Sequence, residues 1–169
     1  MNEIELYSLE IIYKVFNFEK KQPLYLFIDM PELLQRLLLR SSATKLHANL
    51  FQTLRLAPTQ STGSIRLKMT VLETHLNYQS RLHGGITATL VDIAGSLAIA
   101  HKTQSENTGV STDIHVNYLS STSINDELII DAWCGRAGRI LAFTTVEIRV
   151  GEKLVATGSH TKFIGAKIV

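Results

Sequence analysis

The amino-acid sequence predicts an α+β domain in which a curved antiparallel sheet wraps around one apolar helix. Segment 86–100 is apolar on nearly every side apart from one aspartate, and a helix without a broad polar face has to be enclosed by other elements. In the segments around it, apolar and polar residues alternate with a period of two, which is typical of half-buried strands. Short, turn-like links join the strands beyond the helix, and such links favour antiparallel neighbours.

The first half of the chain is predicted to contain a helix and then a strand. Pro31 fits the first turn of a helix, and the leucines that follow have helical spacing, so we expect this helix to run to about Phe51. After the turn STGS, apolar and polar residues alternate from Ile65 to Val71, which predicts a half-buried strand.

The second half is predicted to contain the apolar helix and an antiparallel meander. The helix is expected from about Gly84 to Ala100, after a His-Gly-Gly motif. Turn-like sequences SSTSIND, RAGR and VGEK separate the later strand-like runs. These four predicted strands are Val110–Tyr118, Glu127–Gly135, Ile140–Val150 and Lys153–Phe163.

Composition excludes several classes of protein. The 169 residues are enough for one domain with a sizeable core, and 45% hydrophobic with 19% charged residues is typical of a folded chain. The net charge of +2, with scattered lysines and arginines, does not form a nucleic-acid footprint. The single cysteine, Cys134, cannot form an internal disulfide and fits a reducing compartment.

The beginning of the chain favours a protein that is not secreted. Three glutamates precede the first lysine in MNEIELYSLEIIYK, unlike a signal peptide or a transit peptide. If translation began at Met30, the Arg- and Ser-bearing segment after it would fit a mitochondrial address. No apolar run approaches the roughly 20 residues of a membrane span. We therefore expect a cytoplasmic or mitochondrial matrix protein without a membrane span.

A carboxylate inside the apolar helix marks the candidate site. Burying Asp92 costs free energy unless the charge is paired or hydrogen-bonded. Gly85, Thr89 and Ser96 share its helix face and form one polar stripe with it. Two interpretations stay open: a functional carboxylate, or a satisfied carboxylate that fixes a subunit interface.

The His-Gly-Gly motif at residues 83–85 also has two interpretations. Glycines before a helix allow a tight turn, which is a purely structural role. Alternatively, Gly84 and Gly85 leave bare backbone N–H groups at the helix N-terminus, where they would stabilise an oxyanion. The motif alone does not decide between the two.

Several ordered blocks of sequence together resemble a known family. The blocks are LNYQSRLHGGITATLVDIAGSLAIA, GVSTDIHVNYLSS, GRILAFTTVEI and ATGSHTKFIG. They resemble the hotdog-fold acyl-CoA thioesterases of the PaaI type, above all the eukaryotic group called thioesterase superfamily member two or acyl-CoA thioesterase thirteen. The likeness covers roughly residues 31–165 and is most specific over 77–118. We therefore divide the chain into an N-terminal extension of unknown role (1–30) and a hotdog thioesterase domain (31–169).

The resemblance implies an enzyme that hydrolyses fatty acyl-CoA of medium to long chain to free acid and CoA. It implies that Asp92 activates a water molecule as general base, with direct attack by its carboxylate as the alternative. The Gly84 N–H would bind the oxyanion, and Ser111 would hold the water. Asn77 would orient the thioester or the water, while His83 would shape the turn and contact the substrate.

The resemblance further implies a homo-oligomer, either a dimer or a dimer of dimers, with a site shared between subunits. One subunit would supply Asn77, His83 and Gly84, and the other Asp92 and Ser111. Arginines at the RAGR turn would meet the CoA phosphates, although a solvated hairpin is the plain alternative. The residues implied to contact substrate or CoA are Tyr118, Arg136, Ala137, Gly138, Arg139, Ile140, Leu141 and Phe163.

No metal or redox cofactor is expected, because coenzyme A is part of the substrate and the six histidines lack metal-ligand spacing. Three alternatives to a thioesterase remain. The first is a hotdog protein that binds acyl-CoA without hydrolysing it, and the second is a hotdog dehydratase or hydratase. The third is an interaction protein that docks through its N-terminal extension.

Overall fold

The computed structural model describes residues 32–42, 51–59 and 64–165. The N-terminal extension at 1–30 lies outside them. Two helices and six strands form the described part, together with a 3₁₀ helix at Glu73–His75. The helices are α1 (Glu32–Ser42) and α2 (Gly84–Thr103). The strands are β1 (Arg55–Ala57), β2 (Ser64–Thr70), β3 (Val110–Tyr118), β4 (Glu127–Ala137), β5 (Leu141–Val150) and β6 (Lys153–Phe163).

The strands form one curved antiparallel sheet in the order β1-β2-β4-β5-β6-β3. Helix α2 lies across the sheet and contacts β2 to β6. Its buried side chains, among them Leu90 and Val91, pack on inward-facing residues such as Leu67 of β2 and Ile130 of β4. The predicted arrangement of a curved antiparallel sheet around an apolar helix is confirmed.

Two glycines allow α2 to lie unusually close to the sheet. A Cβ atom added to Gly158 of β6 would lie 2.6 Å from Val91 of α2. A Cβ atom added to Gly95 of α2 would lie 2.8 Å from the Thr144 hydroxyl and 3.1 Å from Nδ1 of His160. Because neither position has room for a side chain, both glycines hold the polar stripe of α2 next to β6.

The predicted four-strand meander is correct only for β4, β5 and β6. Strand β3 pairs with β6 instead of β4, and so lies at one edge of the sheet. The link 119–126 explains the difference, since the N–H groups of Leu119 and Ser120 bond to the Val155 carbonyl near the start of β6. At its other end, Asn125 donates to the Val71 carbonyl after β2. The link thus crosses the end of the sheet and starts β4 beside β2.

Other predicted boundaries differ by a few residues. Helix α2 continues to Thr103 and ends where Gln104 adopts a left-handed conformation, with φ of 52°. Strand β4 continues to Ala137 because a bulge re-registers it beyond Cys134. The first helix is described to Ser42, and Phe51, the approximate predicted end, lies in a bend. Residues 43–50 lie outside the described ones.

By length and composition alone, α2 is apolar enough to cross a membrane, contrary to the sequence-based expectation. Its leucine, isoleucine and valine side chains are enclosed by the sheet, however, and they supply much of the described core. This helix is therefore the core helix around which the sheet folds.

Cys134 and Trp133 point to opposite faces of β4, as the alternating pattern predicts. The Cys134 side chain is buried and its thiol donates to the Arg136 carbonyl, at 3.4 Å. Burial raises the pKa of this thiol above its usual value. Trp133 is half-buried on the other face.

We predict that Gly158→Ala destabilises the protein by about 1 to 3 kcal/mol, because the new methyl group overlaps Val91 in a packed core. The matched control is Gly135→Ala on β4, where an added Cβ meets nothing nearer than 4.0 Å. Chemical denaturation compares the unfolding free energies of the two variants. Equal values for both would contradict the assigned close approach.

Candidate active site

His83 caps the N-terminus of α2. Its Nδ1 accepts a hydrogen bond from the Gly85 N–H at 2.9 Å. The prediction that both glycines present bare N–H groups is therefore wrong for Gly85, because the imidazole ring satisfies that donor. The Gly84 N–H has no acceptor among the described residues, as is normal in the first turn of a helix. One backbone donor thus remains free at the positive end of the helix dipole.

Asn77 organises the loop that leads into α2. Its Oδ1 accepts from the N–H groups of Gln79 and Arg81, at 2.9 and 3.1 Å. The Asn77 N–H also donates to the Arg81 carbonyl at 2.7 Å. Asn77 is therefore a turn residue, yet its Nδ2 donor has no partner in the described part of the chain.

Tyr118 lies over the start of α2 from the end of β3. Its hydroxyl donates to the Gly84 carbonyl at 3.2 Å, and its ring would be 3.4 Å from a Cβ at Gly84. The structure therefore places Asn77, His83, Gly84 and Tyr118 in one region, called here the helix-start cluster.

Asp92 lies on the side of α2 that the sheet leaves partly open, and its side chain is 44% exposed. Its Oδ1 accepts from the Ser96 hydroxyl at 3.3 Å and from Nζ of Lys162 at 3.5 Å. Nδ1 of His160 is 3.6 Å from the same oxygen. The predicted polar stripe is present, since Thr89, Asp92 and Ser96 are half-buried and Gly85 is exposed.

Ser111 joins this group through His160. Its hydroxyl lies 2.9 Å from Nε2 of the imidazole ring. The His160 side chain is completely buried, and its Nδ1 has no hydrogen-bond partner in the described structure. Five residues therefore form a second group, the Asp92 cluster: Asp92, Ser96, Ser111, His160 and Lys162.

Sequence reasoning missed His160 and Lys162. Both lie at inward-facing positions of β6, in step with Ala156 and Gly158. Part of the signal was available, because two ionisable residues at alternate positions of a predicted strand share one face of it, but the sequence does not show whether that face is buried. Such residues are costly to bury without partners and so indicate a site.

Burial keeps His160 neutral. Loss of hydration lowers the pKa of this imidazole below its usual 6.5, the attraction of Asp92 opposes the shift, and the Lys162 ammonium adds to it. Asp113 of β3 is a weaker opposing charge. A neutral ring has one donor and one acceptor nitrogen, so it can orient the Ser111 hydroxyl without carrying charge.

The two clusters lie apart within one chain. Gly84 and Asp92 are eight positions apart on α2, which corresponds to about 12 Å at the rise of an α-helix. An oxyanion donor and a base that act on one carbonyl have to be much closer together than this.

The predicted CoA-contacting residues are divided between the two regions. Phe163 of β6 pairs with Val110 of β3 on one side and with Leu141 of β5 on the other. The neighbouring pair on β3 and β6 is Ser111 with Lys162. The turn 138–140, which leads into Leu141, therefore lies near the Asp92 cluster. The Arg136 and Arg139 side chains are exposed, and neither has an ion-pair partner in the described part of the chain. Tyr118 is at the opposite end of β3.

Within the described ranges, no three His, Cys, Asp or Glu side chains are grouped so that they could hold a metal ion. The polar groups of the Asp92 cluster are one carboxylate, two serine hydroxyls, a neutral imidazole and an ammonium, and the helix-start cluster adds hydrogen-bond donors. These are groups suited to acid–base chemistry on an acyl group.

The sequence and the fold match a known family. Residues 79–157 match the thioesterase superfamily, and over 105 residues the chain is 38% identical to human acyl-coenzyme A thioesterase 13, covering 61% of this chain and 74% of that protein. The chain belongs to the thioesterase superfamily. The predicted resemblance is therefore confirmed, and the protein is a thioester hydrolase with a hotdog fold.

Solved structures agree with this membership. Zebrafish thioesterase superfamily member 2 superposes with a TM-score of 0.70 and 30% identity, covering 78% of this thioesterase and 96% of that chain. A Streptococcus mutans UA159 protein bound to acetyl-CoA superposes with a TM-score of 0.58 and 27% identity, covering 68% and 90% of the two chains.

We predict that the thioesterase loses stability as the pH falls below about 6.5, the ordinary histidine pKa. The lowered pKa of folded His160 means that the unfolded chain binds the proton more readily, so acid favours unfolding. Replacing His160 with Gln should reduce this pH dependence. Unfolding free energies measured between pH 7.5 and 5.0 test this, and equal slopes in the native chain and in His160→Gln would contradict it.

Proposed function

We propose that this thioesterase hydrolyses fatty acyl-CoA of medium to long chain to the free acid and CoA, as a homodimer or a dimer of dimers and without a metal or redox cofactor. The observation that carries the proposal is the unpartnered Gly84 N–H at the start of α2, together with a hydrogen-bonded carboxylate on the same helix. An oxyanion donor and a general base are the two groups that thioester hydrolysis by water requires.

The Gly84 N–H donates to the thioester carbonyl oxygen. Negative charge develops on that oxygen as the tetrahedral intermediate forms, and the helix dipole stabilises it at the same point. Asn77 aids the reaction through Nδ2, since its Oδ1 is already occupied by the turn. His83 holds the turn that aims the Gly84 donor.

Asp92 accepts a proton from water as the water attacks the thioester carbonyl. Ser111 positions that water, and His160 orients the Ser111 hydroxyl. The intermediate then collapses, the C–S bond breaks, and the proton held by Asp92 is returned to the thiolate of CoA. The products are the carboxylic acid and free CoA.

Direct attack by Ser111 is the mechanistic alternative, because Ser111, His160 and Asp92 follow one another in the order of a hydrolase triad. Nδ1 of His160 lies 3.6 Å from Asp92, however, which is longer than a hydrogen bond. Asp92 is bonded to Ser96 and Lys162 instead. This geometry favours water as the nucleophile.

Strand β3 supports a dimer. It pairs on one side only, with β6, and therefore presents an unpaired backbone edge. Ile114 and Tyr118 lie opposite His160 and Ala156 and so face the helix side of the sheet, yet they remain 39% and 59% exposed. A second β3 strand would cover both the edge and these apolar side chains.

The same pairing would assemble the site. If two β3 strands pair antiparallel about Ile114, Ser111 lies opposite Asn117 of the partner subunit. The next residue of that strand is Tyr118, which contacts Gly84. The Asp92 cluster of one subunit then faces the helix-start cluster of the other. The gap of about 12 Å along α2 no longer separates donor and base.

The CoA end of the substrate is assigned to the turn 138–140. Arg136 and Arg139 are exposed and available to the phosphates. A relative bound to acetyl-CoA and one named acyl-coenzyme A thioesterase 13 support a CoA thioester as the substrate class.

A protein that binds acyl-CoA without hydrolysing it is the second candidate function. The presence of Asn77, Gly84, Asp92 and Ser111 together favours hydrolysis, because binding alone does not require a base beside an oriented hydroxyl. Screening the purified protein against short, medium and long acyl-CoAs for released CoA distinguishes the two.

We predict that Asp92→Asn lowers kcat by about 10²-fold or more, because the amide cannot accept the proton of water. Acyl-CoA binding, measured by calorimetry, should persist. The matched control is Asp131→Asn on the outer face of the sheet, where the carboxylate binds Arg66 and kcat should stay unchanged. Near-normal turnover in a folded, dimeric Asp92→Asn variant would contradict the mechanism.

We also predict complementation between two inactive variants. When Asn77→Ala and Asp92→Asn chains are mixed and reassembled, half of the dimers are hybrids, and each hybrid has one unaltered site of two. Activity should therefore return to about a quarter of the native value if the site is shared across a two-fold interface. Activity that stays at the level of the separate variants would place the whole site within one chain.

A further inference from the structure

A buried ammonium lies directly behind the proposed base. The Lys162 side chain on β6 is only 7% exposed, and a buried charge is tolerated only when it is paired and hydrogen-bonded. Its Nζ donates to the Ser96 hydroxyl at 2.7 Å and lies 3.5 Å from Oδ1 of Asp92. Lys162 therefore forms an ion pair with Asp92 and with no other carboxylate in the described structure.

The direction of each hydrogen bond in this group is fixed by chemistry. An ammonium has donors only, so the Ser96 oxygen has to accept from Lys162. The Ser96 proton is then directed to Oδ1 of Asp92, 3.3 Å away. Ser96 lies one helical turn beyond Asp92 on the same stripe, which makes this bridge a property of α2 and β6 together.

Within the described structure, the hydrogen-bond and ion-pair contacts of the Asp92 carboxylate fall on one of its two oxygens. Oδ1 faces Ser96, Lys162 and the imidazole of His160, at 3.3, 3.5 and 3.6 Å. Oδ2 has no partner among the described residues. One oxygen is thus anchored to the protein, and the other is left for the substrate side.

We propose that Lys162, acting through Ser96, is a positioning residue that anchors Oδ1 of Asp92 and so presents Oδ2 to the attacking water. This inference rests on the proposed thioesterase function. Lys162 touches neither water nor substrate in this role. It fixes the rotation of the carboxylate, and its charge balances the charge of Asp92.

No other group can replace this charge. His160 of β6 is kept neutral by burial, and Asp113 of β3 carries the wrong sign. Within the described ranges, no arginine or second lysine contacts Asp92. Removing the ammonium therefore leaves Asp92 without a cationic partner in the described structure, and the Ser96 hydroxyl that bonds to it is then free to rotate.

The first test is a double-mutant cycle of Lys162→Met and Ser96→Ala. Each single change should lower kcat about tenfold or more with KM changed less than about twofold, because a misplaced base slows the chemical step without altering substrate contacts. The double variant should resemble either single variant, since both changes break one chain of bonds. Ser96→Thr keeps the hydroxyl and should retain most of kcat.

Lys153→Met is the matched control. Lys153 begins the same strand, is exposed, and donates only to the Ser121 carbonyl. The kcat of Lys153→Met should therefore equal that of the native chain. Thermal melting and sedimentation verify folding and assembly of every variant. Ser96→Ala removes only one oxygen and keeps the test valid if Lys162→Met does not fold. Unchanged kcat in Ser96→Ala, or losses that multiply in the double variant, would overturn the proposal.

A second measurement does not depend on turnover. The His160 imidazole is titrated by NMR and assigned by its absence in His160→Gln. In Lys162→Met its pKa should rise, because the repulsion of the ammonium is lost while the attraction of Asp92 remains. An unchanged His160 pKa would show that Lys162 is not held at Asp92. If the native protein hydrolysed no acyl-CoA, the proposed function would be overturned, and this titration would still decide the position of Lys162.

Discussion

The close packing of α2 against β5 and β6 is the constraint on which the rest of the structure depends. An apolar helix gains stability from enclosure on all sides, and the enclosure is tight only because Gly95 and Gly158 remove side chains where helix and sheet meet. The same contact sets the distance between Asp92 on the helix and the two ionisable residues on β6. Core packing and site geometry therefore arise from one interface.

Helix α2 also separates two chemical tasks along its length. Its first turn offers a backbone donor, whose direction is fixed by the His83 cap. Its third turn carries the carboxylate, where the helix passes beside His160 and Lys162. Placing both tasks on one rigid rod keeps each cluster well ordered, but it also prevents them from meeting within one chain. The proposed sharing of the site between two subunits rests on that rigidity.

The sequence predicted much of this fold because its patterns are local. The apolar run that became α2 and the alternation in β2, β5 and β6 identify elements from neighbouring residues alone. The place of β3 at the sheet edge depends instead on backbone bonds from Leu119 and Asn125 to distant residues. Such long-range pairings leave no periodic signal.

The site was predictable to a similar degree. Asp92 and Gly84 of the candidate site are predicted from the helix pattern and the resemblance, since an acid in an apolar helix is conspicuous in the sequence. Lys162 and His160 were missed because a strand with mixed polarity does not show which face is inward until its neighbours are known. The capping of Gly85 by His83 depends on one ring rotation, which spacing alone does not determine.

The buried thiol has a practical consequence for enzymology. Cys134 is the only cysteine in the chain, and its burial raises the pKa of the thiol. Little thiolate is therefore present at neutral pH, and thiolate is the form that disulfide reagents attack. CoA released by the enzyme can be followed with such a reagent without a background from the folded protein. For the same reason, the protein should not form disulfide-linked dimers when it is stored without a reductant.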